Sequence, residues 1–282
     1  MANLCTALIP LSNIERIQIY MNNPRKTVAQ IKKETGADYV LNGTLYNMST
    51  GEAVCHLKAD GKPICSPAYS VHGHDWNTPA DFGMSLLPNV SLSGDVGKRN
   101  YIGCVPLILK GVPIVDSCIN PSLNGKRGRT AIGTKDGCLA LYVSKDGSTA
   151  ARTPEKLRDD LVAAGWDSAS MLDGGGSSQC DFLGDKVTSS RKVAHLILVY
   201  LKKTACPYKE PAATVKCGSV GEGAKWVQWM LNKHNPGLAV DGIFGAASKS
   251  ALKAFQKSVF ADAKEWDGIC GSKTREALKK GV

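Results

Sequence analysis

At 282 residues the chain has room for one full-sized domain and a smaller one. Its residues are 43% hydrophobic and 21% charged, an ordinary globular composition, and no run approaches the roughly 18 to 20 apolar residues of a membrane span. The formal charge of +10, from 35 basic and 25 acidic residues, favours a polyanionic partner such as a nucleic acid, an anionic membrane or an anionic cell wall. No basic run exceeds two residues and aromatics make up 6%, which argues against nucleic acid because base stacking needs aromatic platforms.

The first ten residues, Met1 to Pro10, lack the basic start and long apolar core of a signal peptide, so synthesis in the cytoplasm is expected. The ten cysteines are scattered, with no Cys-x-x-Cys pair, and read as mostly reduced thiols, with pairing open if the protein acts outside the cell. Residues 27 to 35 place Val28 and Ile31 on one helical face and end at Gly36; Tyr39-Val40-Leu41 is then a short strand leading to Asn42-Gly43. The segment Val71-His72-Gly73-His74-Asp75-Trp76-Asn77 gathers two of the five histidines, a carboxylate and an indole. It reads either as an acid or base (Asp75 or His74) beside a sugar-stacking Trp76, or as a polar loop with one buried tryptophan. Its His-x-His-Asp pattern has no identifiable third distant ligand, so neither a metal nor any other cofactor is expected.

Arg129 to Thr134 and Cys138 to Ser144 flank Lys135-Asp136-Gly137, the pattern of a β-hairpin with an Asp-Gly turn. Thr153 then caps a helix with Pro154 in its first position, Leu157, Leu161 and Val162 on its apolar face and Gly165 at its end. The strand that follows runs into Leu172-Asp173-Gly174-Gly175-Gly176-Ser177-Ser178. Helix, strand and Asn-Gly or Asp-Gly thus occur twice. Three ordered glycines cost about 1.5–3 kcal/mol relative to alanine, so something must approach that backbone closely. Backbone N–H groups and two hydroxyls beside a carboxylate suit a sugar or a phosphate. Lys192 to Leu201 is apolar enough for a central strand. These elements imply an α+β domain around one mixed, twisted sheet, with helices packed on it and polar residues gathered at strand ends.

Composition breaks at Cys206 to Thr214, where a strongly apolar segment gives way to a stretch containing Pro and Ala. We therefore divide the chain into a domain at 1–205, a linker at 206–214 and a second domain at 215–282. The second domain contains a repeat: Asp241-Gly242-Ile243-Phe244-Gly245 and a helix ending Ala251-Leu252-Lys253 recur as Asp267-Gly268-Ile269-Cys270-Gly271 and Ala277-Leu278-Lys279, 26 residues later. Helices fit Ala224 to Asn232, Ala247 to Lys257 and Lys273 to Lys279. They make a small all-α, three-helix domain whose predicted core is Val227, Leu231, Ile243, Leu252, Phe255, Ile269 and Leu278.

This second domain resembles a peptidoglycan-binding domain of the short helical repeat type, through Gly221-Glu222-Gly223, Gln228, Leu238 to Gly245 and Phe255-Gln256. The resemblance implies non-catalytic anchoring to bacterial cell wall. Upstream, Tyr39 to Gly43, Arg129 to Gly133, Asp136-Gly137, Leu172 to Ser178 and Arg191 to Ala194 resemble the phosphodiester glycosidase family, in the same order, over roughly 38 to 201. Members cleave N-acetylglucosamine from a sugar-1-phosphodiester, between the anomeric carbon and the phosphate oxygen. The chain departs from its relatives at Thr44-Leu45-Tyr46.

The resemblance implies a site made of Asp173, Asn42 and Arg129, with Gly174, Gly175, Gly176, Ser177, Ser178 and Arg191 binding substrate. Asp173 would be nucleophile or oxocarbenium stabiliser, and Asn42 would fix a sugar hydroxyl or acetamido group. Arg129 and Arg191 would hold the phosphate. Asp75, His74 and Trp76 complete the candidates as a second acid or base and a sugar platform. An enzyme of this kind joined to a wall anchor implies hydrolysis of a sugar-1-phosphodiester in bacterial wall glycopolymer, in the manner of a phage or prophage endolysin. The alternatives are a lytic glycosidase acting on the peptidoglycan backbone with Asp75 as its acid, and a wall-binding protein without catalysis.

Overall fold

The computed structural model describes residues 2–65, 72–86, 97–103, 105–114, 123–202, 205–234 and 237–280, so Val71 of the histidine-rich segment lies outside them. The chain divides into two compact units, Met1–Lys202 and Lys203–Val282. The strands of the first are Leu4–Pro10 (β1), Ile14–Met21 (β2), Tyr39–Asn42 (β3), Leu57–Ala59 (β4), Lys62–Cys65 (β5), His72–Trp76 (β6), Gly83–Leu86 (β7) and Asn100–Gly103 (β8). They continue with Val105–Leu109 (β9), Val112–Pro113 (β10), Thr130–Lys135 (β11), Cys138–Ser144 (β12), Ser168–Met171 (β13), Cys180–Phe182 (β14), Asp185–Val187 (β15) and His195–Leu201 (β16). Among the described residues this unit also has two α-helices, Val28–Thr35 (α1) and Pro154–Ala163 (α2).

The α+β class holds, but among the described residues the strands form three sheets instead of one: β1-β12-β11-β13-β9-β10, β15-β14-β3-β16-β2 and β5-β4-β8-β6-β7. The pairings between them are antiparallel. Much of the third sheet consists of strands of three to five residues, too short for their alternation to stand out in sequence. Alternation along the longer strands sorts the core into layers. Leu41, Ile197 and Val199 join Ile132, Leu139 and Leu141 in a central core shared by the sheets, while Val40, Leu196 and Leu198 face the other way onto Ile31 of α1. Ala131, Ala140 and Ala169 likewise turn outward onto Leu157 and Leu161 of α2. Burying each of those two leucines contributes about 1.5–3 kcal/mol.

Local chemistry sets the helix boundaries. Thr27 and Gln30 form a reciprocal capping box on α1, and Gly36 ends it at φ 68°. Thr153 accepts the Lys156 amide at 3.2 Å at the start of α2. The expected hairpin turn is present: Asp136 and Gly137 have φ of 48° and 71° between β11 and β12, the doubly positive pair that matches strand twist.

The second unit holds Glu222–His234 (α3), Ala246–Val259 (α4) and Ser272–Lys280 (α5). Val227, Leu231, Leu252, Phe255 and Leu278 are buried as expected, but Ile243 is 60% exposed and Ile269 37% exposed. The inward residue of each turn is the next one, Phe244 or Cys270, both fully buried. The cause is the turn's own hydrogen bonding. In the first repeat Gln228 donates to Asp241 at 2.8 Å, Ile243 O at 3.1 Å and Ser248 at 3.1 Å, and accepts from Gly242 N at 2.9 Å. In the second, Gln256 does the same with Asp267, Ile269 O, Thr274 and Gly268 N. Both glutamines are 1% exposed, and each fastens a turn that presents the isoleucine carbonyl inward and its side chain outward. Residues 206–214, read from composition as a linker, belong to this unit: Cys206 and Tyr208 pack on its core and Glu210 bonds Lys279.

Replacing Gln256 by Ala strands the Gly268 amide and leaves the Ile269 carbonyl only its 3.4 Å bond from Thr274 Oγ1, and should destabilise the helical unit by about 2–3 kcal/mol. Native-state hydrogen exchange should then show the Gly268 amide losing protection while β11 and β12 keep theirs.

Candidate active site

The two helix–strand–Asx-Gly segments meet. β3 delivers Asn42-Gly43 and β13 delivers Asp173-Gly174, from different sheets. Asn42 Nδ2 donates to the Asp173 carbonyl at 2.8 Å, and the Asp173 amide donates to the Gly43 carbonyl at 3.1 Å. The other side of the Asn42 amide accepts from Thr130 at 2.7 Å and from the Gln179 amide at 3.2 Å. Asn42 is fully buried and its side chain is used by the protein itself. It positions Asp173; the expected contact to a sugar is corrected to this role.

The triple glycine also serves the protein's own packing. A Cβ on Gly174 would lie 2.8 Å from the Gly128 carbonyl, and one on Gly176 would lie 3.1 Å from Arg191 Nη2. Gly175 sits at φ 59°, the left-handed region that costs other residues about 1–2 kcal/mol. The approach inferred from three glycines is thus made by a backbone carbonyl and two arginines. Nor are most of the turn's amides bare. Gly174 N donates to Asp173 Oδ1 at 2.9 Å, Gly175 N to Gly128 O at 2.8 Å, Ser177 N to Gly174 O at 3.1 Å and Ser178 N to Gly175 O at 3.0 Å.

What the turn presents outward is the Asp173 carboxyl. It is partly buried and opens on a cavity of about 300 Å³ lined by Leu45, Tyr46, Met48, Leu123, Arg127, Arg129, Asp146, Met171, Leu172, Asp173, Gly174, Gly175, Gly176 and Arg191. Burial raises the Asp173 pKa above its usual range, opposed by bonds from the Ser177 hydroxyl and the Gly174 amide and by the charge of Arg191. Arg191 Nη1 donates to Ser177 Oγ at 2.9 Å, leaving that hydroxyl's proton for Asp173. A chain of donors therefore runs from Arg191 through Ser177 to the carboxylate.

Arg129 is 2% exposed and four of its five N–H groups are engaged. They donate to the carbonyls of Arg152 at 2.8 Å, Leu123 at 2.9 Å and Gly125 at 2.6 Å, and to Met171 Sδ at 3.6 Å. Arg129 lines the cavity with no carboxylate hydrogen-bonded to it among the described residues; burial and the neighbouring Arg127 both press its pKa down. It is better placed to supply a field than to grip a phosphate bidentately.

The histidine-rich segment lies elsewhere. None of His74, Asp75 and Trp76 lines the Asp173 cavity. His74 is fully buried, stacked on Phe82 at 5.0 Å and 3.0 Å from Ser168 Oγ, and burial lowers its pKa to about 3. Trp76 is 1% exposed and donates to Ile17 O at 2.9 Å, so it has no face for a sugar. Asp75 is 4% exposed, with its pKa raised by burial. The buried-tryptophan reading therefore describes this strand, and the acid/base and platform roles are withdrawn. Ser178 is 2% exposed and does not line the cavity; a direct substrate contact is withdrawn for it too.

Sequence reasoning missed Arg127 and Asp146. The signal for Asp146 was present, since Lys145-Asp146-Gly147 follows β12 as Asn42-Gly43 follows β3: a third strand end with an Asx-Gly pair. Leu45 and Tyr46 form part of the wall. The three glycines should respond to alanine by distinct mechanisms. Gly174→Ala meets an unyielding carbonyl and should cost the most, about 3 kcal/mol or more, against about 1–2 kcal/mol for Gly175→Ala. Thermal unfolding of the two variants would rank them.

Comparison with known proteins agrees with this architecture. A phosphodiester glycosidase family model matches residues 17–200, and a peptidoglycan binding domain model matches residues 220–278. A search of curated proteins found no match. Among solved structures, the catalytic domain of zebrafish N-acetylglucosamine-1-phosphodiester alpha-N-acetylglucosaminidase is similar with a TM-score of 0.56 at 16% identity, over 71% of this chain and 84% of that one. A hypothetical protein from Synechocystis is similar with a TM-score of 0.58 at 14% identity, over 71% and 59%. At these identities the structural likeness speaks for the fold. With the family model covering most of the chain, the protein belongs to the phosphodiester glycosidase family, and a peptidoglycan-binding domain follows its glycosidase domain.

Proposed function

We propose that the protein is a cell-wall hydrolase that cleaves an amino-sugar 1-phosphodiester in bacterial wall glycopolymer. The observation that carries this reading is one partly buried carboxylate, Asp173, opening on a cavity that is also lined by Arg127, Arg129 and Arg191. A phosphodiester oxygen departs easily from an anomeric carbon, so the site needs little general-acid power and much positive charge where the phosphate leaves. The cavity has that balance, and no histidine lines it.

In the proposed reaction the Asp173 carboxylate faces the anomeric carbon, as nucleophile or as partner of the developing oxocarbenium ion. The C1–O bond breaks and its electron pair leaves with the phosphate, which departs as a phosphomonoester anion. Water supplies the hydroxyl to C1, and its remaining proton passes to the departing phosphomonoester or to solvent. The Ser177 hydroxyl and the Gly174 amide hold the carboxylate in orientation, and Leu45 and Tyr46 offer apolar wall to the sugar. The helical unit supports the wall as the setting, since its family binds peptidoglycan. An anchor joined to a hydrolase is the organisation of an endolysin-like protein, and we extend the proposal to bacteriolytic action.

Treating purified Gram-positive walls, with and without teichoic acid, with wild type and Asp173→Asn tests the reading. Polymer released only from teichoylated walls, and only by wild type, is the expected result. New reducing ends from stripped peptidoglycan would instead indicate a backbone glycosidase, and no product from either would leave a binding protein.

The raised pKa of Asp173 adds a pH prediction. The ionised form is the active one, so the acid limb of the pH–rate profile should lie above the usual aspartate range. Because the folded value exceeds the unfolded one, the stability contribution of the bound proton is complete at acid pH and is lost as pH rises from the unfolded value through the folded one. Asp173→Asn should therefore abolish turnover yet equal or exceed wild type in thermal stability at neutral pH, with the difference shrinking on acidification.

A further inference from the structure

Among the arginines of the cavity, Arg127 is the exposed one. Arg129 is spent on carbonyls and Arg191 donates to Ser177. The Arg127 guanidinium has neither a hydrogen bond nor an ion pair among the described residues, although its backbone is firmly held. Its amide donates to Arg152 O at 3.1 Å, and its carbonyl accepts from Arg152 N at 2.9 Å. The next residue, Gly128, donates to Asp146 Oδ1 at 2.7 Å and accepts from the Gly175 amide at 2.8 Å. The loop carrying Arg127 is thus clipped to the turn carrying Asp173, while the side chain keeps all five N–H donors.

Its placement relative to that turn is equally specific. Arg127 Cδ lies 3.9 Å from the position a Cβ would take on Gly175, and Arg191 Nη2 lies 3.1 Å from the corresponding position on Gly176. The Arg127 stem and the Arg191 guanidinium therefore flank consecutive residues of one turn, the turn that begins at Asp173, and both side chains line the cavity onto which Asp173 opens. With Arg129, three cations share the cavity with two carboxylates, Asp146 and Asp173. Packing like charges together is unfavourable unless an anion joins them, and a fork of free N–H donors matches phosphate oxygens bidentately.

We infer that Arg127 and Arg191 form a two-sided clamp on the departing phosphate, with Arg127 as the residue that selects a phosphate leaving group and Arg129 as the buried cation of the same cavity. The inference rests on the phosphodiester reading and deepens it: the substrate must present its anion on the Gly175–Gly176 side of Asp173. Lysine at 127 would keep the charge and lose the fork.

The test uses the full chain with two probes, inorganic phosphate and methyl N-acetylglucosamine 1-phosphate. Calorimetric titration with phosphate should show binding weakened about tenfold in Arg127→Gln and unchanged in Lys126→Gln, an exposed neighbour that does not line the cavity. Turnover of the diester should fall about 30-fold or more in kcat/KM for Arg127→Gln and recover in part in Arg127→Lys, with thermal unfolding midpoints unchanged. Turnover by wild type together with equal phosphate affinity and equal kcat/KM in Arg127→Gln would overturn the clamp and leave the phosphodiester reading intact. A wild type that turns over no sugar-1-phosphodiester, on this probe or on teichoylated walls, would overturn that reading and the clamp with it.

Discussion

Two hydrogen bonds between loops of different sheets, from Asn42 to the Asp173 carbonyl and from the Asp173 amide to the Gly43 carbonyl, fix the site on which the rest of the domain converges. Each loop leaves a strand buried on both faces, so neither can shift along its sheet without moving core side chains. A Cβ on Gly43 would lie 2.5 Å from His195 Nδ1, which explains why glycine follows Asn42. The result is a carboxylate whose backbone is determined from two directions. In the proposed reaction that rigidity matters, because orientation fixed during folding need not be found at the moment of reaction.

Electrostatics around this carboxylate follow from burial more than from ion pairing. Among the described residues, no salt bridge involves Arg127, Arg129, Arg191, Asp146 or Asp173. The buried guanidinium of Arg129 is solvated by carbonyls, which lower the cost of its charge without cancelling it. A field of this kind survives to act on a ligand, whereas a bidentate carboxylate partner would have quenched it. The glycines belong to the same design: they let two arginines and a carbonyl close around the turn.

The helical unit obeys a simpler logic. One buried glutamine per repeat satisfies a turn that has few apolar contacts of its own, and the same four-way bonding occurs twice. Repetition made this unit easy to read: the same signal at a 26-residue spacing identifies helices and turns together. The inward residue differs from the periodic expectation because helical periodicity does not extend into the turn. There the carbonyl that Gln228 or Gln256 captures decides which side chain faces the core.

By itself the sequence determined the elements with strong local chemistry: the Thr27 and Thr153 caps, the Asp136-Gly137 hairpin, the helical repeat and the Asp173 turn with its glycines. These depend on residues a few positions apart, and their preferences are written in the chain. Tertiary structure alone decided that the described strands divide among separate sheets, that Asn42 and Arg129 turn their polar groups inward, and that Arg127 and Asp146 stand in the cavity. It also decided that the His74, Asp75 and Trp76 strand is core. Burial and partner choice depend on residues far apart in the chain, 131 positions in the bond from Asn42 to Asp173. No local pattern of charge or hydrophobicity says whether an arginine meets a carbonyl, a ligand or water.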